Sequence, residues 1–419
     1  MKELRSVKGM HDILPRDASR WHFVEDVYRR IVERYGYREI RTPIVEPLEL
    51  FVRGIGEATD IVEKEMYAFE DKGGDWLALR PEGTASAIRS YVQHNLAAEG
   101  PFVKMYYLGP MFRRERPAKG RYRQFFQAGA ELVGVEEPTA DAEIIEMAAG
   151  YVEQLGIGGV TVLLNSLGDG EDRAAFRGAL VGYFEDRREA LCGDCERRLE
   201  SNPLRILDCK VESCKELAAG APAVLDHLGD ESRGHFEEVQ RLLERAGVHY
   251  SVDPSMVRGL DYYTRTIFEI QADAGKLGAQ AAVVGGGRYD DLVEELGGRP
   301  TPAIGFSIGL ERLLMVLDES DLPAAEPLIY VAGVGEGGLD RAIEVTRRLR
   351  DEGHRVEVSY AQTSLRSQLK RADRFAAAVA VIAGEDEASR GAATLRNLAD
   401  GTQLEVPLAE LSEKIEAVT

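Results

Sequence analysis

Between Phe112 and Arg123 the chain reads FRRERPAKGRYR, in which Arg113, Arg114, Arg116, Lys119, Arg121 and Arg123 face one acidic residue, Glu115. Guanidinium groups pair bidentately with phosphate, so such a stripe is suited to holding a polyanion. A solvated hairpin tip would have the same composition. Two details favour a site. The arginines begin directly at an apolar strand end, Phe112–Arg113, and the returning run alternates Gln127, Gly129 and Glu131 on one face. Polar groups alternating along a strand of a buried sheet suit a pocket floor. Phe125, just ahead of them, offers a ring that can stack on a base.

Four other stretches carry chemistry-bearing residues. RGLDYYTRTIFEI, Arg258–Ile270, ends in β-branched and aromatic residues that suit a strand, but opens with a cation, a glycine, a carboxylate, Tyr262 and Tyr263. LRPEGTASAIR places Arg80, Glu82 and Thr84 at a strand-to-helix junction. There a side chain can cap the first turn or present a carboxylate to an amine, and spacing does not choose between them. AIGFSIGLERLLMVL reads as strand, glycine turn and helix, with Arg312 on the first turn and Gly305 and Gly309 permitting close backbone approach to a phosphate. GGGRYDDL, 285–292, lacks the lysine and serine spacing of a phosphate loop, so its glycines are better read as close packing against a ligand or strand.

The cysteines fall as Cys192-x2-Cys195, thirteen residues, then Cys209-x4-Cys214. That approximates four-thiolate zinc spacing, but four structural thiols are an equally simple account, and no metal ligand is assigned.

These segments need elements to position them. Residues 17–35 carry Trp21, Val24, Val27, Tyr28, Ile31, Val32 and Tyr35 at helical spacing, with Gly36 as C-terminal cap. An extended segment broken by Pro43 and Pro47 follows, then MYAFED and DWLALR around a Lys72-Gly73-Gly74 turn. AIRSYVQHNL reads as helix. FVKMYYLGPMF and RQFFQAGAELVG bracket the basic stripe, which therefore sits on a loop between antiparallel strands. From 168 to 250 the chain turns helical, charged and cysteine-bearing, as an insertion would. Strands return at 265–272 and 280–287. DESDLPAAEP is the expected linker to a small α/β domain with a largely parallel sheet. On one helix there, Arg366, Lys370, Arg371 and Arg374 cluster.

The chain has 419 residues, 44% hydrophobic and 30% charged, with 52 basic against 72 acidic side chains and a net charge of −20. Two or three soluble domains fit that length. The acidic balance argues against nonspecific nucleic-acid binding, while leaving room for a local basic contact. No apolar run approaches a membrane span, the start lacks a signal-peptide core, and the sparse cysteines suit a reducing cytoplasm.

Taken together, the proline-containing segment at Pro43, FRRERP…RYRQFFQAGAE and GFSIGLERL resemble the three motifs of class II aminoacyl-tRNA synthetases. LRPEGT, RGLDYYTRTIFE and GGGRYDDL are similar to the histidine loop and the two signature segments of the histidyl-tRNA synthetase family. The resemblance covers essentially the whole chain. It implies an α+β architecture: an antiparallel-sheet catalytic domain over 1–320, with the helical insertion 168–250 inside it, and a C-terminal α/β anticodon-binding domain over 326–419. It implies that L-histidine is activated with ATP and Mg2+ to histidyl-adenylate and passed to tRNA(His), in a cytoplasmic homodimer.

By the same resemblance, Glu82, Gly83, Thr84 and Gln127 would hold the α-ammonium end of histidine. Glu131 and Tyr263 would address the imidazole, with Tyr262 shaping the pocket. Arg113 would contact the α-phosphate and the histidine carboxylate, with Arg258 opposite. Glu115 would read the adenine amino group, Phe125 would stack on the ring, and Arg121 and Arg312 would complete the ATP site, Arg312 on the γ-phosphate. Arg366, Lys370 and Arg371 would grip tRNA. Phe126 stands where many relatives carry histidine; on an alternating strand it should face away from Gln127. The nearest rival is a synthetase-like regulatory subunit of ATP phosphoribosyltransferase. Such a chain should lack the C-terminal domain and keep a degraded Arg258–Tyr263 segment.

Overall fold

The computed structural model describes residues 3–56, 59, 61–257, 260, 262–272, 277, 282–324 and 326–419. Its first long helix, Pro15–Arg34, begins with proline at the position where no amide hydrogen is needed. It ends at Tyr35, beyond which Gly36 takes the left-handed conformation at φ 82°. Strands follow in order: β1 (Arg38–Glu39), β2 (Val45–Pro47), β3 (Tyr67–Glu70), β4 (Trp76–Leu79), β5 (Val103–Phe112), β6 (Gln124–Val133), β7 (Thr161–Ser166), β8 (Tyr250–Val252), β9 (Thr264–Gln271), β10 (Ala282–Arg288) and β11 (Ala303–Gly309).

Contacts divide the chain into two units, Met1–Leu322 and Pro323–Thr419. In the first, the described residues form an eight-stranded sheet in the order β1-β5-β6-β11-β10-β9-β7-β8. Its six central strands are antiparallel, and the short edge strands β1 and β8 pair parallel with β5 and β7. Side-chain alternation divides the sheet into two faces. Tyr106, Ala128, Ala130, Leu132, Phe268, Ile270, Ile304, Phe306 and Ile308 meet the helices Pro15–Arg34, Pro138–Gln154 and Asp230–Arg245 in the main core. The residues between them point to the opposite face.

A buried polar bridge ties the helical layer to the sheet. The Arg288 guanidinium pairs with Asp141 and Asp290 and donates to the Val135 carbonyl at 2.9 Å, and Asp141 also meets His235 Nε2 at 3.2 Å. Burial alone would raise the Asp141 pKa, but Arg288 and His235 outweigh it and hold the carboxyl below its usual value.

A small sheet, β2-β4-β3, carries the hairpin expected around Lys72–Gly74. Asp71 closes the turn by accepting from the Gly73 and Asp75 amides at 2.7 and 3.0 Å. The helical segment after β7 starts with a capping box at Asp169 and builds its own core from Phe176, Leu180, Phe184, Leu199, Ile206, Val224 and three buried cysteines. Its last helix, Asp230–Arg245, instead packs into the main core through Phe236, Val239 and Leu243.

The second unit holds β12 (Leu328–Gly333), β13 (Arg355–Val358), β14 (Val379–Ala383), β15 (Ala392–Asn397) and β16 (Gln403–Pro407), in the order β13-β12-β14-β15-β16. The expected parallel character covers β13, β12 and β14, while β15 and β16 join antiparallel. The difference has a simple cause. Only eight residues, with the helical turn Glu385–Ser389 among them, separate β14 from β15, too short for a parallel crossover. Among the described residues, no helix is long and apolar enough to cross a membrane.

Candidate active site

On the face of the large sheet opposite the helices, register lines up side chains in rows. One row runs Met105, Glu131, Gly305, Gly287 and Ile267, and the next runs Tyr107, Gly129, Ser307, Gly285 and Glu269. Gln127 lies between Gly109 and Gly309. The centre of this face therefore carries four glycines, Gly129, Gly285, Gly287 and Gly305, and side chains lean over three of them: Tyr107 over Gly129, Glu131 over Gly305 and Tyr263 over Gly287. The glycines are required there. A Cβ on Gly305 would stand 1.7 Å from Glu131 Oε2, and one on Gly129 would stand 2.4 Å from the Tyr107 hydroxyl.

Glu131 is fully buried, and three hydroxyls converge on it. Its Oε1 accepts from Thr84 at 2.7 Å and from Tyr107 at 3.2 Å, and its Oε2 accepts from Tyr289. Burial dominates its proton affinity and pushes the carboxyl up from 4.5 to about 8, despite the hydroxyl donors that favour the anion. Tyr262 and Tyr263 form the adjoining wall, 4.8 Å apart, and Tyr262 stands 5.5 Å from the Tyr289 ring. A carboxylate ringed by phenols is suited to a ligand with an N–H donor and a flat, partly apolar body.

Glu82 serves the capping role and stays at the site. Its two oxygens accept from the Thr84 and Ala85 amides at 2.6 and 2.8 Å, closing the first turn of the helix Thr84–Gln93. Burial still raises its pKa. Gly83 is pinned between, because a Cβ there would stand 2.2 Å from the Tyr107 ring. Gln127 is buried, and its Oε1 has no hydrogen-bond partner among the described residues. An orphaned acceptor of this kind costs about 1–3 kcal/mol, so it fits a site where a bound donor completes it.

The cations approach from the ends of β5 and β6. Arg113 Nε donates to the Pro81 carbonyl at 2.9 Å, holding the strand end against the loop that carries Glu82. Its guanidinium stands 5.2 Å from the centre of the Phe125 ring. Glu115 lies 4.0 Å from Arg113 and 3.3 Å from Arg121. The loop tip rests on the first turn of the helix Leu310–Val316, where a Cβ on Gly120 would stand 3.4 Å from Arg312 and Met315. Burial lowers the Arg312 pKa and the Arg121 charge adds to it, while Glu269 and Glu115 offset part of the effect. Such a pair of cations is suited to a multiply charged anion.

Arg258 lies outside the described residues. Phe126 meets Trp21 edge-on at 5.1 Å, on the helical side of the sheet and away from Gln127. In the second unit Arg366 and Lys370 are exposed on the helix Leu365–Arg374, and Arg371 donates to Ser359 Oγ at 3.2 Å beside the exposed Tyr360.

Four residues enter the site that sequence reasoning did not assign to it. Tyr107 faces Gly129 only once strand register is known. Tyr289 sits inside GGGRYDDL, where the glycines drew attention instead. Glu269 shares the Gly129 row through β9. Glu311, in the third motif, accepts from the Phe126 amide with both oxygens at 3.0 Å, joining β6 to the helix that bears Arg312. Burial pushes that carboxyl up to about 7.

A family model described as histidyl-tRNA synthetase matches residues 9–168 and 196–313, and one described as anticodon binding domain matches 329–418. Histidine–tRNA ligase of Geobacter sulfurreducens is 49% identical, covering 97% of each chain. That of Geobacillus kaustophilus is also 49% identical, covering 97% of this chain and 96% of the relative. The apo histidyl-tRNA synthetase structure from S. aureus superposes with a TM-score of 0.82 at 35% identity, covering 98% of this chain and 99% of the other. Motif order, the ringed carboxylate and these matches across both units agree, and the chain belongs to the histidyl-tRNA synthetase family.

Proposed function

We propose that this chain is a histidine–tRNA ligase, working in two steps on the glycine-bearing face of the large sheet. The observation that carries the reading is the Glu131 carboxylate, buried on that face and held by Thr84, Tyr107 and Tyr289. A neutral imidazole offers one donor and one acceptor. Glu131 takes the donor, and Tyr263 addresses the other nitrogen, with Tyr262 shaping the wall. The unpartnered Gln127 oxygen, with Glu82, Gly83 and Thr84, receives the α-ammonium group.

ATP lies across the rest of that face. Phe125 stacks on adenine and Glu115 accepts from its amino group. Arg121 and Arg312 bind the outer phosphates, and Arg113 bridges the α-phosphate and the histidine carboxylate. The family resemblance would assign Arg258 to the α-phosphate, opposite Arg113. ATP enters as its Mg2+ complex, and Glu269, on the same row as Gly129, is the carboxylate suited to share that ion.

A histidine carboxylate oxygen attacks the α-phosphorus in line, the bond to the β-phosphate oxygen breaks, and pyrophosphate leaves. The nucleophile is already ionised, so the residues act by position and by fixed positive charge where two anions meet. The 3′-terminal ribose hydroxyl of tRNA(His) then attacks the adenylate carbonyl and AMP leaves. Arg366, Lys370 and Arg371 contact the tRNA from the second unit. We further place the enzyme in the cytoplasm as a homodimer, in line with the class II resemblance.

The test is pyrophosphate exchange into ATP. Exchange should appear with histidine and stay at background with other amino acids. Folded protein with no histidine-dependent exchange would reject the enzymatic reading and favour a regulatory role.

A further inference from the structure

We propose that the helical insertion holds a structural zinc ion on Cys192, Cys195, Cys209 and Cys214, whose four sulfurs lie within 4.8 Å of one another. These are all the cysteines of the chain, and the fold gathers them from separate turns. Cys192 and Cys195 flank the start of the helix Gly193–Ser201, Cys209 follows the turn Pro203–Ile206, and Cys214 lies in the helix Glu212–Ala218. Spacing alone left a metal and four structural thiols equally open, because the x4 gap is loose. The fold closes that gap by turning the chain after Cys209 into the helix that brings Cys214 back to the cluster.

The geometry fits the ion. Zinc binds thiolates at about 2.3 Å in a tetrahedron, which sets sulfur–sulfur edges near ~3.8 Å. Cys192 Sγ and Cys209 Sγ stand 3.8 Å apart. Backbone amides already point at two of the sulfurs: Cys192 N donates to Cys214 Sγ at 3.2 Å, and Val211 N to Cys209 Sγ at 3.5 Å. Amide donors of this kind offset the charge of a metal-bound thiolate and fix its direction. Three of the cysteines are buried and Cys192 is partly open, which leaves a way in for the ion.

The site also answers a packing need. The core around it contains Phe176, Leu180, Phe184, Leu199, Ile206 and Val224, and cores this small commonly need a cross-link. All-sulfur ligation in a closed tetrahedron leaves no open position, so the ion is structural. Magnesium, which prefers oxygen ligands, is excluded by the donor set.

The experiment uses the full chain purified without chelator. Elemental analysis should give one zinc per chain, retained on dialysis and released when a mercurial reagent titrates the thiols. Growth on cobalt should give protein with the visible bands of tetrahedral thiolate cobalt, and Cys209→Ser should lose both the ion and the bands. The wild-type protein provides the arm that does not depend on the variant's folding: metal content and thiol count in the native state. Zinc absent from folded, active wild-type protein, with no cobalt bands, would overturn the proposal. So would four freely titrating thiols, disulfide-bonded cysteines or stoichiometric iron in place of zinc. Histidine-dependent pyrophosphate exchange in the same preparation reports separately on the ligase reading.

Discussion

Thr84 and Glu131 meet at 2.7 Å, joining the first turn of a helix to the centre of the large sheet. The hydroxyl comes from the helix turn that Glu82 caps, so the ammonium end and the imidazole end of the proposed histidine pocket share one hydrogen bond. A change at either end is transmitted to the other.

Glu131→Gln keeps the shape and replaces one acceptor oxygen by an amide donor. A buried donor or acceptor left mispaired costs about 1–3 kcal/mol, so KM for histidine in pyrophosphate exchange should rise about 10- to 100-fold. KM for ATP should change little. Tyr289→Phe, which removes one supporting hydroxyl, should have a smaller effect in the same direction. An unchanged histidine KM in Glu131→Gln would remove this residue from the pocket.

The same variant tests the proton on Glu131. Burial raises the carboxyl from 4.5 to about 8, so between those values the folded chain retains a proton that the unfolded chain releases. Wild-type stability from this group therefore falls as pH rises through that window and levels off above it. Glu131→Gln has no such proton. Its Tm relative to wild type should climb from about pH 5 to about pH 8 and then flatten. Glu82 and Glu311, both raised by burial, act in the same direction but are present in both proteins. A difference in Tm that is constant with pH would show that Glu131 is ionised throughout.

Gln127→Ala removes an acceptor that has no partner among the described residues. Histidine KM should rise about tenfold, since a lost hydrogen bond is worth about 1 kcal/mol or somewhat more to a charged donor. Tm without ligand should stay level or increase slightly. A large drop in apo stability would mean that Gln127 supports the fold.

Gly305→Ala places a methyl group 1.7 Å from Glu131 Oε2 and 2.6 Å from the Ala130 carbonyl. Overpacking of this kind costs roughly 1–3 kcal/mol. Exchange activity should fall further than in Glu131→Gln, and thermal unfolding should shift down.

Arg113→Ala and Arg258→Ala test the fixed cations. Each should lower the rate of exchange by about 10²–10³-fold, the usual loss when one preorganised donor to a developing charge is removed. Tm should also fall for Arg113→Ala, which loses the bond to Pro81. By contrast, Arg366→Ala with Lys370→Ala should leave exchange intact and weaken aminoacylation, with a shallower dependence on salt.

Much of this architecture was legible from period and punctuation. The proline start and glycine end of the helix Pro15–Arg34, the Asp71 hairpin and the alternation of Gln127, Gly129 and Glu131 follow from local rules. What stayed hidden depends on register. Tyr107 reaches Glu131 because β5 and β6 pair it beside Gly129, and Tyr289 reaches it from just past the end of β10, two places from β6 in the sheet. Glu82 was ambiguous for a physical reason: its carboxylate caps a helix at the edge of the pocket, so both readings describe the same atoms. The mixed character of the second sheet turned on one short connection, which strand propensity does not report.

The glycine rows have a thermodynamic consequence. Tyr107, Glu131 and Tyr263 lean over Gly129, Gly305 and Gly287, so the side chains proposed to hold the substrate are packed directly on the central strands. A ligand seated among those side chains becomes a removable part of the protein's interior. Bound at about a hundred times its dissociation constant, it adds about 2.7 kcal/mol to the folded state. Substrate occupancy should therefore be readable as protection of the central strands from hydrogen exchange.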